Sequence, residues 1–272
     1  MIRAAYAEIP TGQVHYREWI PEKEARRPLL CLHPAPFSSA FFTTAMPALG
    51  EARRIIAPDY PGYGSSSPCG EAPSIEDYAA SILQFLVCLE LDGPVDVLGF
   101  HTGCLVGAEM QLQSVDAIGA LVLVDVPYFL GEVQERMSAQ AGAPLKLTTE
   151  LESIASLWQS GIAVKAPLMG MDRAVELLAE QLRAHPNAHL AFKAAFTYPC
   201  EERFARLPGP AAIIATKSML SDVTAEAARA AAASALFIKA DDITRGVFEE
   251  GAPQIAARID AALTQLEDQK GE

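Results

Sequence analysis

The residue best equipped for chemistry in this chain is His101, in the run Gly99-Phe100-His101-Thr102-Gly103. Before it stands VDVLGF (95–100), an unbroken apolar run that reads as a buried strand; after it, TGCLVGAEMQLQ reads as a helix. A strand that passes straight into a helix leaves the joining residue in a sharp, strained turn. Gly99 and Gly103 leave the backbones room to approach there. An imidazole at the tip of such a turn titrates near neutral pH, which is what a general acid or base needs. It also needs a carboxylate to fix its tautomer. Asp125 ends the apolar run GALVLVDV (119–126), the strand expected beside 95–100, and is the best candidate. Thr102 opens the helix, so its backbone N–H lies where the dipole favours negative charge.

Other chemistry-bearing residues read more plainly. Cys104 falls inside the first helical turn and faces the core, where a thiol is a small hydrophobe. His185 and His189 lie four apart, a spacing compatible with a metal pair on a helix. Pro186 separates them and no third ligand follows, so no metal is expected. Phe192, Phe196 and Tyr198 either line a cavity or form the core of their own region.

The elements that position these residues alternate short apolar runs with helical stretches, the pattern of an α/β fold with a mostly parallel sheet between helices. Strands are expected at about 3–8, 12–19, 28–33, 53–58, 95–100, 119–126, 210–216 and 235–240. A helix is expected over 38–49. Another starts at Ser74, whose hydroxyl caps a first turn holding Glu76 and Asp77. From 128 to 206 the pattern turns helical throughout, which predicts a helical insertion, a cap, between a core of 1–127 and 207–272. A last helix covers 252–267, with a frayed DQKGE tail.

Half of the 272 residues are hydrophobic, enough for a large core. The formal charge of −13 argues against nucleic acid or an anionic membrane as partner. No apolar run is long enough to span a bilayer. The five cysteines are scattered, odd in number and without a C-x-x-C pair, which suits reduced thiols in the cytoplasm. No dinucleotide fingerprint or P-loop is present, so no cofactor is implied. The expected partner is a small molecule, and a homodimer stays open.

Four segments together resemble the α/β-hydrolase superfamily: LLCLHPAPFSSAFF, the loop from Asp59 to Ser66 (DYPGYGSS), Gly99 to Gly103, and the late strand pair after a helical insertion. The resemblance implies a central sheet of about eight strands. It makes Gly99–Gly103 the nucleophile elbow and places the oxyanion-hole amides on Ala35 and Thr102. His33 and Phe100 then stand beside the ligand. Ser65 and Ser66 match the family's ordinary loop serines.

The chain departs from that family at all three triad positions. His101 replaces the nucleophile. Counting past PAAIIAT puts Met219 at the acid, with Asp222 three residues late. Counting back from the last helix puts Thr244 or Arg245 at the histidine. A serine acyl-enzyme route cannot be carried over. Some relatives of the haloalkane-dehalogenase kind take their acid from the strand that Asp125 ends. The resulting expectation is His101 in acid–base chemistry, hydrolytic or of the lyase or isomerase kind. Asp125 would orient it and Arg245 would bind an anionic substrate. The competing expectation is a catalytically inactive homologue that binds a ligand or a protein partner, as the plant gibberellin receptor does.

Overall fold

The computed structural model describes residues 1–68, 70–141, 144–231 and 235–271. Eight strands form one sheet: β1 (Ile2–Ile9), β2 (Gly12–Trp19), β3 (Leu29–Leu32), β4 (Ile55–Pro58), β5 (Val95–Phe100), β6 (Ile118–Val124), β7 (Ala211–Thr216) and β8 (Leu236–Ala240). Their order is β1-β2-β4-β3-β5-β6-β7-β8. β2 runs antiparallel to both of its neighbours, and all other pairs are parallel. Every strand lies within two residues of its expected bounds. The central strands β3 to β7 are buried along their whole length, as continuous apolar runs covered on both faces must be. One core cluster holds Leu30, Val97, Leu121 and Ile213, and the other holds Leu29, Leu98, Val122 and Ile214. Successive side chains therefore point to opposite faces of the sheet.

The helix Ile75–Cys88 begins with a capping box. Asp77 N–H donates to the Ser74 hydroxyl, and Ser74 N–H donates to the Asp77 carboxylate. The helix expected over 38–49 is split into a 3-10 turn at Ser39–Phe42 and a short helix at Met46–Leu49. Pro47, in the first turn of the second, starts a helix but cannot continue one. The last helix, Ala252–Gly271, runs four residues past its expected end because nothing before Gly271 breaks it. Among the described residues no helix is long and apolar enough to cross a membrane.

Between β6 and β7 the described residues form helices, the longest at Gly131–Ala141, Met171–Arg183 and Leu190–Thr197. They are tied to the sheet side by polar contacts. Tyr63 Oη accepts from Ala191 N–H at 3.0 Å. Arg173 donates to the Ala40 and Phe41 carbonyls and to Glu249. Tyr198 Oη–H donates to the buried Glu109 carboxylate at 2.9 Å. Cys31, Cys88, Cys104 and Cys200 are free thiols, while Cys69 lies outside the described residues.

Candidate active site

The sheet brings His33, Asp59, His101, Asp125 and Thr216 together, each at or just past the carboxyl end of a strand from β3 to β7. That edge is where open α/β sheets bind ligands. A strained turn on it is at His101, with φ 49° and ψ −117°. This is a left-side conformation that a side chain adopts only under constraint. The constraint is visible in its neighbours. A Cβ on Gly99 would meet the Gly103 carbonyl at 2.5 Å, and one on Gly103 would overlap the Leu32 carbonyl. Cys104 N–H closes the turn onto the His101 carbonyl at 2.8 Å, and His101 N–H donates to the Val124 carbonyl.

The His101 ring stacks on Phe100, with centroids 4.0 Å apart and planes 27° apart. Burial pushes its pKa down to about 4, against the upward pull of the Asp125 carboxylate. It is a neutral imidazole at neutral pH.

Asp125 stands near this ring but does not bond to it, contrary to expectation. Its carboxylate is buried and already engaged. Thr216 N–H donates to Oδ1 at 2.8 Å, and the Thr216 hydroxyl donates to Oδ2 at 2.5 Å. Among the described residues no side chain hydrogen-bonds the His101 ring. Asp125 itself has φ 52°, and Glu90 is the third non-glycine residue with positive φ among those described.

Among the described residues, neither the Ala35 nor the Thr102 backbone N–H has a protein acceptor. Both residues are buried. Buried amides without a partner are rare, and Thr102 stands at a helix start, where such groups favour negative charge. The segment carrying Ala35 is fixed from below by Asp59. This buried carboxylate accepts from Ser39 N–H, Ser65 N–H and His15 Nδ1–H. Burial pushes its pKa up, but the bonds from His15, Ser39 and Ser65 outweigh that and hold it at about 2. A Cβ on Gly64 would overlap this carboxylate, so the glycine of the loop is obligatory.

Three expected ligand contacts are corrected. His33 is wholly buried. Its Nε2 accepts from Tyr60 N–H at 3.1 Å, so Nδ1 carries the proton and donates to the Pro34 carbonyl. No ring nitrogen remains for a ligand, and burial pushes its pKa down to about 4. Phe100 packs into an aromatic cluster with Phe41 and Phe248 and acts as the floor under His101. Arg245 is exposed and paired with Glu250 at 2.7 Å rather than held for a ligand.

Met219 is fully exposed, Asp222 is exposed on its helix, and Phe248 fills the space before the last helix. Cys104 is buried, with Sγ–H shared between the Gly99 and Val124 carbonyls; burial raises its pKa well above the usual thiol range. His185 and His189 donate to the Leu145 and Pro186 carbonyls, and no metal-binding group occurs among the described residues.

A cavity of about 240 Å³ lies between the helical insertion and the Ala35 segment, lined by Pro36, Leu145, Leu157, Gln181, His189 and Phe192. Phe196 instead pairs with Phe129. Thr216 is not legible as a partner of Asp125: its neighbourhood in sequence is ordinary, and the two meet only through a tertiary contact.

The model of the alpha/beta hydrolase family matches residues 29–253. A serine hydrolase-like protein from Danio rerio is 29% identical over 124 residues, which are 45% of this chain and 37% of that protein. The chain thus matches little more than a third of that relative's length. Among solved structures, a putative lipase from Acinetobacter baumannii superposes with a TM-score of 0.76 at 14% identity, covering 98% of this chain and 93% of that one. An N-acyl homoserine lactonase complexed with N-hexanoyl homoserine gives 0.74 at 18%, covering 98% of both chains. An esterase from Thermogutta terrifontis gives 0.73 at 16%, covering 97% of this chain and 99% of that one. At such identities the likeness to these structures is one of fold.

Proposed function

Because this chain belongs to the alpha/beta hydrolase family, we propose that it is a small-molecule enzyme in which His101 serves as the base. The observation that carries this reading is the pairing of the strained His101 turn with two unpartnered amides, at Ala35 and Thr102. Strain of this kind costs about 1–3 kcal/mol and persists where the surrounding structure imposes it. Both supposed catalytic residues, His101 and Asp125, carry it.

The chemistry follows from the charges. A neutral imidazole takes a proton from water or from a carbon next to a carbonyl. Negative charge then grows on the carbonyl oxygen, and the Ala35 and Thr102 N–H groups stabilise it. The Asp125 carboxylate, already felt by the ring, stabilises the imidazolium that forms. The imidazolium exchanges its proton with solvent and returns one to the product, so the cycle closes without an acyl-enzyme. The substrate lies in the cavity between sheet edge and helical cap, with the core at 1–127 and 207–272 and the cap at 128–206.

A second reading is a ligand-binding homologue without turnover. It is favoured by the Asp125 carboxylate being satisfied by Thr216 rather than by His101. A panel of acyl esters and enolisable ketones in deuterated water, run on wild type and on His101→Ala, separates the two. Turnover or deuterium uptake that disappears in His101→Ala, with an unchanged melting temperature, supports catalysis. Equal rates in both proteins exclude His101 as the base.

A further inference from the structure

At the opposite end of the sheet from His101, a hollow of about 360 Å³ opens where β5 begins and just before β6 begins. The whole length of β5 separates Val95, in its wall, from His101, roughly 20 Å at the rise of an extended chain. Leu83, Leu86, Leu91, Pro94, Val95 and Ala117 make its apolar walls, and the exposed Val87 stands among them. Its volume falls within the range of roughly 300–1,000 Å³ that small ligands fill.

Every charge in its lining is negative. Glu90 and Asp116 line it, together with Ser114, and no lysine, arginine or histidine does. Among the described residues neither carboxylate has a cation or a hydrogen-bond donor as partner, and the Ser114 hydroxyl is equally unpaired. Two helices also end here. Leu83, Leu86 and Val87 belong to the last turns of the helix Ile75–Cys88, and Ser114 caps the helix Thr102–Gln113. Each presents the negative end of its dipole, and neither carries a basic residue in its last turn to offset it. Glu90 adds a second signal. It lies just past the C-cap Leu89 with φ 47°, where helices commonly place glycine. A side chain makes that turn costlier than glycine would, and among the described residues this one gains no hydrogen bond or ion pair in return.

Apolar walls with unpaired carboxylates and helix C-termini are complementary to one kind of occupant. We propose that this hollow binds a small organic ammonium ion, its hydrocarbon part on Leu83, Leu91 and Val95 and its N–H groups toward Glu90 and Asp116. An ammonium brings three donors and no acceptor, which matches carboxylates, a hydroxyl and terminal helix carbonyls. An anion is repelled by the same groups and by the chain's net charge of −13. A neutral apolar molecule leaves both carboxylates unanswered. The site lies away from His101 and does not depend on turnover there.

Calorimetric titration with phenethylamine, protonated at neutral pH, and with the neutral 2-phenylethanol of nearly the same shape tests it. Wild type is expected to bind the ammonium about tenfold more tightly, the scale of two partly exposed charge contacts and two helix ends. Glu90→Gln combined with Asp116→Asn keeps both side-chain shapes. It is expected to abolish that preference and leave the alcohol's affinity unchanged. Glu132→Gln combined with Glu135→Gln removes the same charge from exposed positions on the helix Gly131–Ala141, and is expected to leave the preference intact. Thermal melts verify that each variant folds. The proposal is overturned if wild type binds the two probes equally or binds neither, or if the preference survives the changes at Glu90 and Asp116. Equal loss from the changes at Glu132 and Glu135 would reduce it to general charge attraction and overturn it too. His101→Ala is expected to bind phenethylamine as wild type does. Loss of binding there would put the ammonium at the other end of the sheet, against the proposal.

Discussion

Thr216 holds Asp125 by two hydrogen bonds at once, from its amide at 2.8 Å and from its hydroxyl at 2.5 Å. Both carboxylate oxygens are thereby engaged from β7 while the carboxylate stays close enough to act on the His101 ring. An acid that expresses itself through its field, rather than through a bond, leaves the ring nitrogens open to a substrate. It also leaves the ring's orientation to the stack on Phe100.

Thr216→Val removes the hydroxyl at nearly constant volume and frees Asp125 Oδ2. The buried carboxylate loses one donor, so the variant is expected to be less stable by about 1–3 kcal/mol in urea melts. With one oxygen free to turn toward the imidazole, the His101 pKa is expected to rise from about 4. Proton NMR of the ring C–H signals, titrated in wild type and variant, reads this directly. An unmoved His101 titration would show that Asp125 has no part in setting it.

His33 and His101 make a shared prediction about acid. Both have folded pKa values of about 4, below the ordinary 6.5, because burial disfavours the charged ring. The unfolded chain therefore takes up these protons first. Stability is complete above about pH 6.5 and is lost as pH falls toward 4, by roughly 3 kcal/mol for each ring. Asp59 adds a separate loss at lower pH, as it falls from the usual carboxylate value through about 2. Urea melts across this range should show proton uptake on unfolding reduced by one in His101→Ala. The same uptake in both proteins would mean that His101 is not held neutral.

Much of this site is readable along the chain, and the part that is not has a common cause. Gly99, Gly103 and the apolar run before them announce the elbow because its backbone geometry restricts residue types directly. Ala35 and Thr102 are expected from position alone, since backbone amides need no particular side chain. Side-chain partners are different. Asp125 is well placed by its strand, but Thr216, which claims its oxygens, lies 91 residues away on β7. Arg245 occupies the right loop yet turns outward to Glu250, a choice fixed by a neighbour only five residues on. Periodicity locates elements and tight turns; it does not say which of several polar residues meet.

The backbone at the elbow gives the sharpest contrast between two substitutions two residues apart. Gly103→Ala places a methyl group onto the Leu32 carbonyl, an atom of the central sheet that cannot move aside without disturbing β3. It is expected to cost about 3 kcal/mol or to prevent folding. His101→Gly does the reverse for the backbone, since glycine adopts φ 49° without the steric penalty that a Cβ brings. It forfeits the stack on Phe100, but it also removes a half-buried ring that makes no hydrogen bond among the described residues. His101→Gly is therefore expected to melt at or above the wild-type temperature while losing any His101-dependent turnover. Such a result would mean that the histidine is retained at a cost to the fold, which only function explains. A clear drop in melting temperature would instead make His101 a packing residue, and the case for its catalytic role would fall with it.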